Sequence, residues 1–254
     1  MIALGPRTLF VKEVRRFLRV PGQTLLSPLI TTSLYLVVFG YALGGSLREI
    51  SGVPYVTFIV PGLIMLAVIS NSFLNTSSSF FMMKMQETIV DLLVTPLTHI
   101  QIVGAMVSAA TVRAMFVGLL TWLVAAVAQG GASVPHPLFA LLFPVMTSIG
   151  FSSLGLLTAI WAEKFEQVNF VPTFVITPLT FLGGVFYDID KLPQVFSTLS
   201  HFNPILYVVE GMRYALIGKS AVDPWAGLGF LLVFDAIAIG ACVFVLHKGW
   251  KLRK

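Results

Sequence analysis

Charge is what this sequence has least of. Only 11% of its 254 residues are Asp, Glu, Lys or Arg, less than half of the roughly 25% usual in a soluble domain. With 57% hydrophobic residues and a mean hydropathy of +0.92, no single soluble core of this length could hide the apolar side chains. Lipid accepts them on helices, whose backbone hydrogen bonds close within the segment. Missing too are the segments of about ten residues alternating in polarity that mark a membrane β-barrel. The apolar runs here are unbroken, so the fold class is an all-α integral membrane protein. A lone Cys242 excludes an intramolecular disulfide and sits in an apolar stretch, where it packs rather than reacts. His99, His136, His201 and His247 are scattered without ligand spacing such as H-E-x-x-H, so no metal site is expected. No cluster of nucleophile, base and orienting group is evident, which argues against an enzyme. Gly218-Lys219-Ser220 is P-loop-like, but a Walker A motif needs a glycine five residues before Gly218, where Arg213 stands.

What is present is a series of long uncharged runs. No charge falls between Arg19 and Arg48, between Glu49 and Lys84, or between Glu166 and Asp188, and each gap holds a span of roughly 20 residues. The first span is placed at 25–43, the second at 58–81 and the fifth at 168–187. Two more runs, 100–127 and 225–247, carry one charge each, Arg113 and Asp235, and 138–161 carries none. Six transmembrane helices result. The first begins after a basic segment and no small-residue cleavage site follows it, so it reads as a retained anchor.

Lys and Arg accumulate on cytoplasmic flanks. Arg7, Lys12, Arg15, Arg16 and Arg19 precede the first span, and Lys248, Lys251, Arg253 and Lys254 follow the last, which puts both termini in the cytoplasm and agrees with an even number of spans. The net charge of +5 is therefore a topology signal and implies no nucleic acid. Before the first span, over 7–21, Phe10, Val14, Phe17 and Leu18 recur at helical spacing opposite Lys12, Arg15, Arg16 and Arg19. That pattern predicts an amphipathic interfacial helix, its apolar face in membrane lipid and its cations on headgroups.

Between the fifth and sixth spans, 188–224 is apolar but charged at intervals. Its best helix, 204–217, would reach only about 21 Å, too short to cross about 30 Å of hydrocarbon. Asn203 before Pro204 is a start signal, because Asn caps free N–H groups and Pro fits the first helical position. A second short helix over 192–199 would complete an outer re-entrant hairpin. Glu210 and Arg213, three residues apart, are placed to pair.

Other polar residues have open readings. Asn71, Asn75, Ser78 and Ser79 repeat at helical spacing on the second span, where they could line a translocation path, hydrogen-bond neighbouring helices, or sit in the inner headgroup region. Arg113 and Asp235 lie at hydrocarbon depth, where each costs about 2.5 to 3.5 kcal/mol without a partner. They could pair across the third and sixth spans, or Arg113 could meet a carbonyl or water. Gly40 and Gly44 form a small-xxx-small pair that permits close helix approach and makes them dimer-interface candidates. In the cytoplasmic segment 84–101, Glu87, Asp91 and Thr95 can share one helical face while Ile89, Leu92, Leu93 and Pro96 supply an apolar surface. Such a helix suits a groove on a partner, or alternatively lies on lipid.

The run Leu199-Ser200-His201-Phe202-Asn203-Pro204-Ile205-Leu206-Tyr207-Val208-Val209-Glu210-Gly211-Met212-Arg213, preceded by Pro193 and by Phe181-Leu182-Gly183-Gly184-Val185-Phe186-Tyr187, resembles the permeases of ABC type-2 exporters. Phe58-Ile59-Val60-Pro61-Gly62-Leu63 fits the same family, in the branch with nodulation-factor and antibiotic exporters. The resemblance implies a homodimer bearing two separately encoded ATP-binding cassette subunits, with ATP and magnesium held there and no cofactor in this chain. It implies export through a pathway between protomers, of an amphipathic, lipid-linked or glycan substrate, across a bacterial inner membrane. It further implies that the segment with Glu87, Asp91, Leu92, Leu93 and Pro96 is the ATPase-coupling helix, that the first and fifth spans border the protomer interface, and that the hairpin with Asn203, Pro204, Glu210 and Arg213 closes the outer gate. The competing reading is a secondary transporter or channel, which commonly shows repeated halves with broken helices at matching positions; no such match is evident.

Overall fold

Eleven α-helices and one small β-hairpin make up the described residues, 4–39, 49–50, 52–131, 133–189 and 193–251, of this computed structural model. In chain order they are α1 (Leu4–Leu18), α2 (Ser27–Val37), the hairpin of β1 (Glu49–Ile50) and β2 (Val53–Pro54), α3 (Tyr55–Met85), α4 (Ile89–Val94), α5 (His99–Gln129), α6 (Pro137–Trp161), α7 (Phe165–Val171), α8 (Thr177–Leu182), α9 (Gln194–Ser200), α10 (Pro204–Ile217) and α11 (Pro224–Lys248). The strands pair antiparallel, Glu49 opposite Pro54 and Ile50 opposite Val53. Gly40, Gly44, Arg48, Lys191, Leu192, Arg253 and Lys254 lie outside the described residues.

Among the described residues four helices, α3, α5, α6 and α11, are long and apolar enough to cross a membrane. Local chemistry fixes their ends. Thr98 and Gln101 form a reciprocal capping box at the start of α5, Thr98 Oγ1 accepting from the Gln101 amide at 3.3 Å and Gln101 Oε1 from the Thr98 amide at 3.0 Å. Asp223 caps α11 through the Trp225 amide at 3.2 Å. Glycines in the left-handed region, Gly130 and Gly249, close α5 and α11.

The first and fifth expected spans have a different build. In each, a π-helical segment, Gly22–Leu26 or Pro172–Ile176, runs directly into α2 or α8. Each π segment ends two residues before a proline, Pro28 or Pro178. Proline lacks the N–H for the i−4 carbonyl and its ring presses on that carbonyl, and widening one turn relieves both problems. The wide turn is closed by Thr177, whose amide and hydroxyl both donate to the Pro172 carbonyl, the hydroxyl at 2.9 Å. The fifth helical run ends at Leu182 and not at Tyr187, because Gly183-Gly184 breaks it and Gly184 sits at φ +71. The short helix expected at 192–199 covers Gln194–Ser200 instead.

Helix α3 is the axis of the bundle. Ile59, Met65, Val68, Ile69 and Phe73 are fully buried on it, and the Thr76 hydroxyl donates to the Ser152 carbonyl of α6 at 2.7 Å. Side chains of α1 reach it too, and here the sequence-based face needs correction. The side of α1 turned to the bundle is Leu9, Glu13 and Phe17, with Glu13 only 1% exposed. Leu18 is exposed and Phe10 and Val14 are half-buried. The helix is three-sided: one face on protein, one apolar face outward, and Lys12, Arg15 and Arg19 on a third.

Candidate functional site

Two polar clusters and two hollows stand out. Where α9 and α10 meet the bundle, Asn203 Oδ1 accepts from the Ile205 amide at 3.0 Å and Pro204 opens α10, as the start signal predicts, while Asn203 Nδ2 donates to the Leu179 carbonyl at 2.6 Å and ties α10 to α8. Glu210 and Arg213 form a buried ion pair. Around it, Arg213 Nη2 donates to the Gly184 carbonyl at 2.8 Å, and its guanidinium lies 3.9 Å from the centre of the Phe58 ring. Glu210 Oε2 accepts from the Ala221 amide at 2.8 Å and from the Ser220 hydroxyl at 3.4 Å. Close packing below completes the clamp: a Cβ on Gly62 would stand 2.8 Å from Val185 Cγ1. The segments carrying the family resemblance, 58–63, 181–187 and 199–213, therefore converge in space. Gly218, read as a P-loop-like fragment, is the left-handed C-cap of α10.

The second cluster joins α1, α3 and α5. Glu13 Oε2 accepts from Arg16 Nε at 3.0 Å and from the Ser79 hydroxyl at 2.6 Å. Arg16 Nη2 donates to the Asn75 carbonyl at 2.9 Å and to Asn75 Oδ1 at 3.0 Å. Arg113 Nη1 donates to that same Oδ1 at 3.3 Å. The four polar residues proposed for a path thus divide. Asn75 and Ser79 hold α1 and Arg113; Ser78 donates to the Leu74 carbonyl; Asn71 faces the cavity described below. Glu13 was missed by sequence reasoning, although an acid between Leu9 and Phe17 at spacings of four is a readable sign of a face that packs on protein.

Arg113 and Asp235 do not pair. The partner of Arg113 is the neutral Asn75 amide, and Asp235, 6% exposed, packs where a Cβ on Gly150 would collide with its carboxylate.

Between α2, α3, α5 and the helical run from Phe165 to Leu182 lies a cavity of about 410 Å³. Thr31, Ser70, Asn71, Thr177 and Arg113 face it among apolar neighbours such as Leu66 and Phe181. A larger groove, about 1150 Å³, runs between α1, the end of α3 and α4, with Lys12, Glu13, Arg16, Asp91, Leu92 and Pro96 in its wall. The helix there is shorter than its pattern suggested. Glu87 precedes α4 at φ +60 and Thr95 follows it in extended conformation, so neither shares a helical face with Asp91. Leu92 and Leu93 turn partly onto the bundle, while Val90 and Val94 are 55% and 79% exposed. Behind α4, Lys84 Nζ donates to the Ile160 and Ala162 carbonyls, at 2.8 Å each, satisfying the C-terminal end of α6. Lys251 donates to Glu163 at 2.6 Å, and that hydrogen bond holds the Glu163 carboxyl below its usual range.

The model of the ABC-2 type transporter family matches residues 7–217. The chain is 40% identical over 248 residues to the inner membrane transport permease YadH of Escherichia coli K12, covering 97% of this chain and 96% of the relative. It is 32% identical over 217 residues to nodulation protein J of Sinorhizobium fredii, covering 85% and 80%. Four membrane-length helices, the convergence of the three motif segments on one clamp, and similarity along nearly the whole chain lead to one assignment: this protein belongs to the ABC-2 type transporter family.

Proposed function

We propose that this chain is the permease subunit of an ATP-binding cassette exporter of a bacterial inner membrane, working as a homodimer with two separate ATPase subunits. The observation that carries the reading is similarity along nearly the whole chain to a protein named as an inner membrane transport permease. In this reading α3, α5, α6 and α11 span the bilayer together with the two π-interrupted runs, making six spans with both termini inside. The α9–α10 hairpin lies in the outer leaflet as a gate, anchored through Glu210 and Arg213. The cavity between α2, α3 and the Phe165–Leu182 run is one protomer's share of the pathway. Its mixture of apolar walls and hydroxyls suits an amphipathic, lipid-linked or glycan substrate. Helix α4, capped by exposed Val90 and Val94, seats in the ATPase subunit and passes its movement to α3 and α5.

The test is reconstitution. Co-expressed with candidate cassette ATPases, the permease is expected to retain one of them through purification and to support ATP-dependent, vesicle-sided movement of amphiphiles in lipid. Transport by the permease alone, driven by an ion gradient, would overturn the reading in favour of a secondary transporter. So would tight nucleotide binding to the partner-free chain.

A further inference from the structure

We propose that the cavity beside Arg113 receives the anionic headgroup of an amphiphile, a phosphate or sulfate-type oxyanion, with the Arg113 guanidinium as its counter-ion. This rests on the reading of that cavity as part of the pathway. The second polar cluster holds two guanidinium groups, Arg16 and Arg113, and one carboxylate, Glu13. Glu13 is committed to Arg16 and Ser79, and among the described residues no carboxylate forms an ion pair with Arg113. The two cations instead converge on one neutral oxygen, Asn75 Oδ1, at 3.0 and 3.3 Å. One positive charge is thus left over, at the middle of a membrane-length helix, where an isolated cation is costly.

Arg113 Nε is buried and has no hydrogen-bond partner, and the side chain lines the 410 Å³ cavity. A guanidinium offers donors in a fixed fork that matches an oxyanion, and the low dielectric strengthens the pairing. Of the lining residues, Ser70, Asn71 and Thr31 add polar surface to the cavity, whereas Leu66 and Phe181 offer contact to a chain. A neutral sugar would leave the charge uncompensated, and a cationic drug would be repelled by it.

The test uses the full chain in phosphatidylcholine nanodiscs, titrated with radiolabelled dodecyl phosphate against empty nanodiscs, with dodecyl maltoside and inorganic phosphate as competitors. Wild type and Arg113→Lys are expected to bind dodecyl phosphate, and Arg113→Gln to bind at least about tenfold more weakly, a loss of about 1.4 kcal/mol. Asn75→Asp guards against misfolding: it keeps the acceptor oxygen, adds a carboxylate between the two arginines, and is expected to abolish binding while the protein elutes as wild type. Binding unchanged by Arg113→Gln and Asn75→Asp overturns the proposal. Equal competition by dodecyl maltoside also overturns it, and equal competition by inorganic phosphate replaces the amphiphile with a small free anion. Loss of the ATPase partner in reconstitution sinks the exporter reading without altering this titration, so the two failures are separable.

Discussion

Glu210 shows how a charge is kept in an apolar bundle: its carboxylate meets Arg213 on its own helix and the Ala221 amide and Ser220 hydroxyl beyond the helix end. Arg213 in turn bonds the Gly184 carbonyl and covers Phe58. Removing one partner leaves a buried charge without compensation, at about 3 to 5 kcal/mol. Arg213→Ala is therefore expected to lower the unfolding temperature in detergent sharply, and the double change Glu210→Leu with Arg213→Met to recover much of the loss. An unaltered melting curve for Arg213→Ala would show that the pair holds nothing together. Beneath it, Gly62→Val would drive methyl groups into Val185, whose Cα and carbonyl oxygen already lie 3.0 and 3.1 Å from the place of a Cβ. Crowding of backbone is relieved only by moving it, and overpacking of this kind typically costs about 1 to 3 kcal/mol. Poorer recovery and a lower melting temperature for Gly62→Val than for Leu66→Val are expected in the same assay.

Among the elements, the long uncharged runs were legible because hydrophobic length is a property of sequence alone, and α3, α5, α6 and α11 cover the runs expected at 58–81, 100–127, 138–161 and 225–247. So was the start of α10, since Asn203 and Pro204 act locally. The π segments were not read, although Pro28 and Pro178 were in view: whether a proline kinks, ends or widens a helix depends on how the turn before it is packed and hydrogen-bonded, here with the Pro172 carbonyl taking both the Thr177 amide and the Thr177 hydroxyl. On α1, Phe17 was assigned to the outward face for a related reason, whereas it is buried with Leu9 and Glu13. Apolar periodicity cannot separate lipid from protein, and an acid satisfied by Arg16 and Ser79 belongs to the protein side. The same ambiguity affects α4, where Leu92 and Leu93 are the obvious anchors by composition and Val90 and Val94 by exposure. Val90→Asp with Val94→Asp is expected to release the ATPase subunit during purification while leaving the permease monodisperse and its melting temperature unchanged. Leu92→Asp with Leu93→Asp should release it only together with a loss of stability, because both side chains pack partly against the bundle. Retention of the ATPase by the Val90 and Val94 double mutant would move the docking site away from α4.

For the whole molecule, burial alone cannot tell a face turned to lipid from a face turned to a second copy, since both expose large apolar side chains. On α2, Leu34 is 60% exposed; on the π segment of the fifth run, Phe174 is 66% exposed; on α11, Ile237 is 67% exposed. What separates them is the neighbourhood. The segments of Leu34 and Phe174 both border the cavity that holds Arg113, and such a cavity opening on hydrocarbon would leave its hydroxyls and cation facing lipid. A second copy closing over it removes that problem. The helix of Ile237 carries Leu232 and Val233, 61% and 57% exposed, in an apolar surface suited to lipid. The native thiol does not interfere, because Cys242 is fully buried and donates to the Ser153 carbonyl. Single cysteines at Leu34 and at Phe174 are therefore expected to form disulfide-linked or short-linker dimers in native membranes, with the Ile237 cysteine remaining monomeric under the same oxidant. Cross-linking at Ile237 in preference to the other two would place the protomer contact on α11 and leave the Arg113 cavity outside any shared pathway.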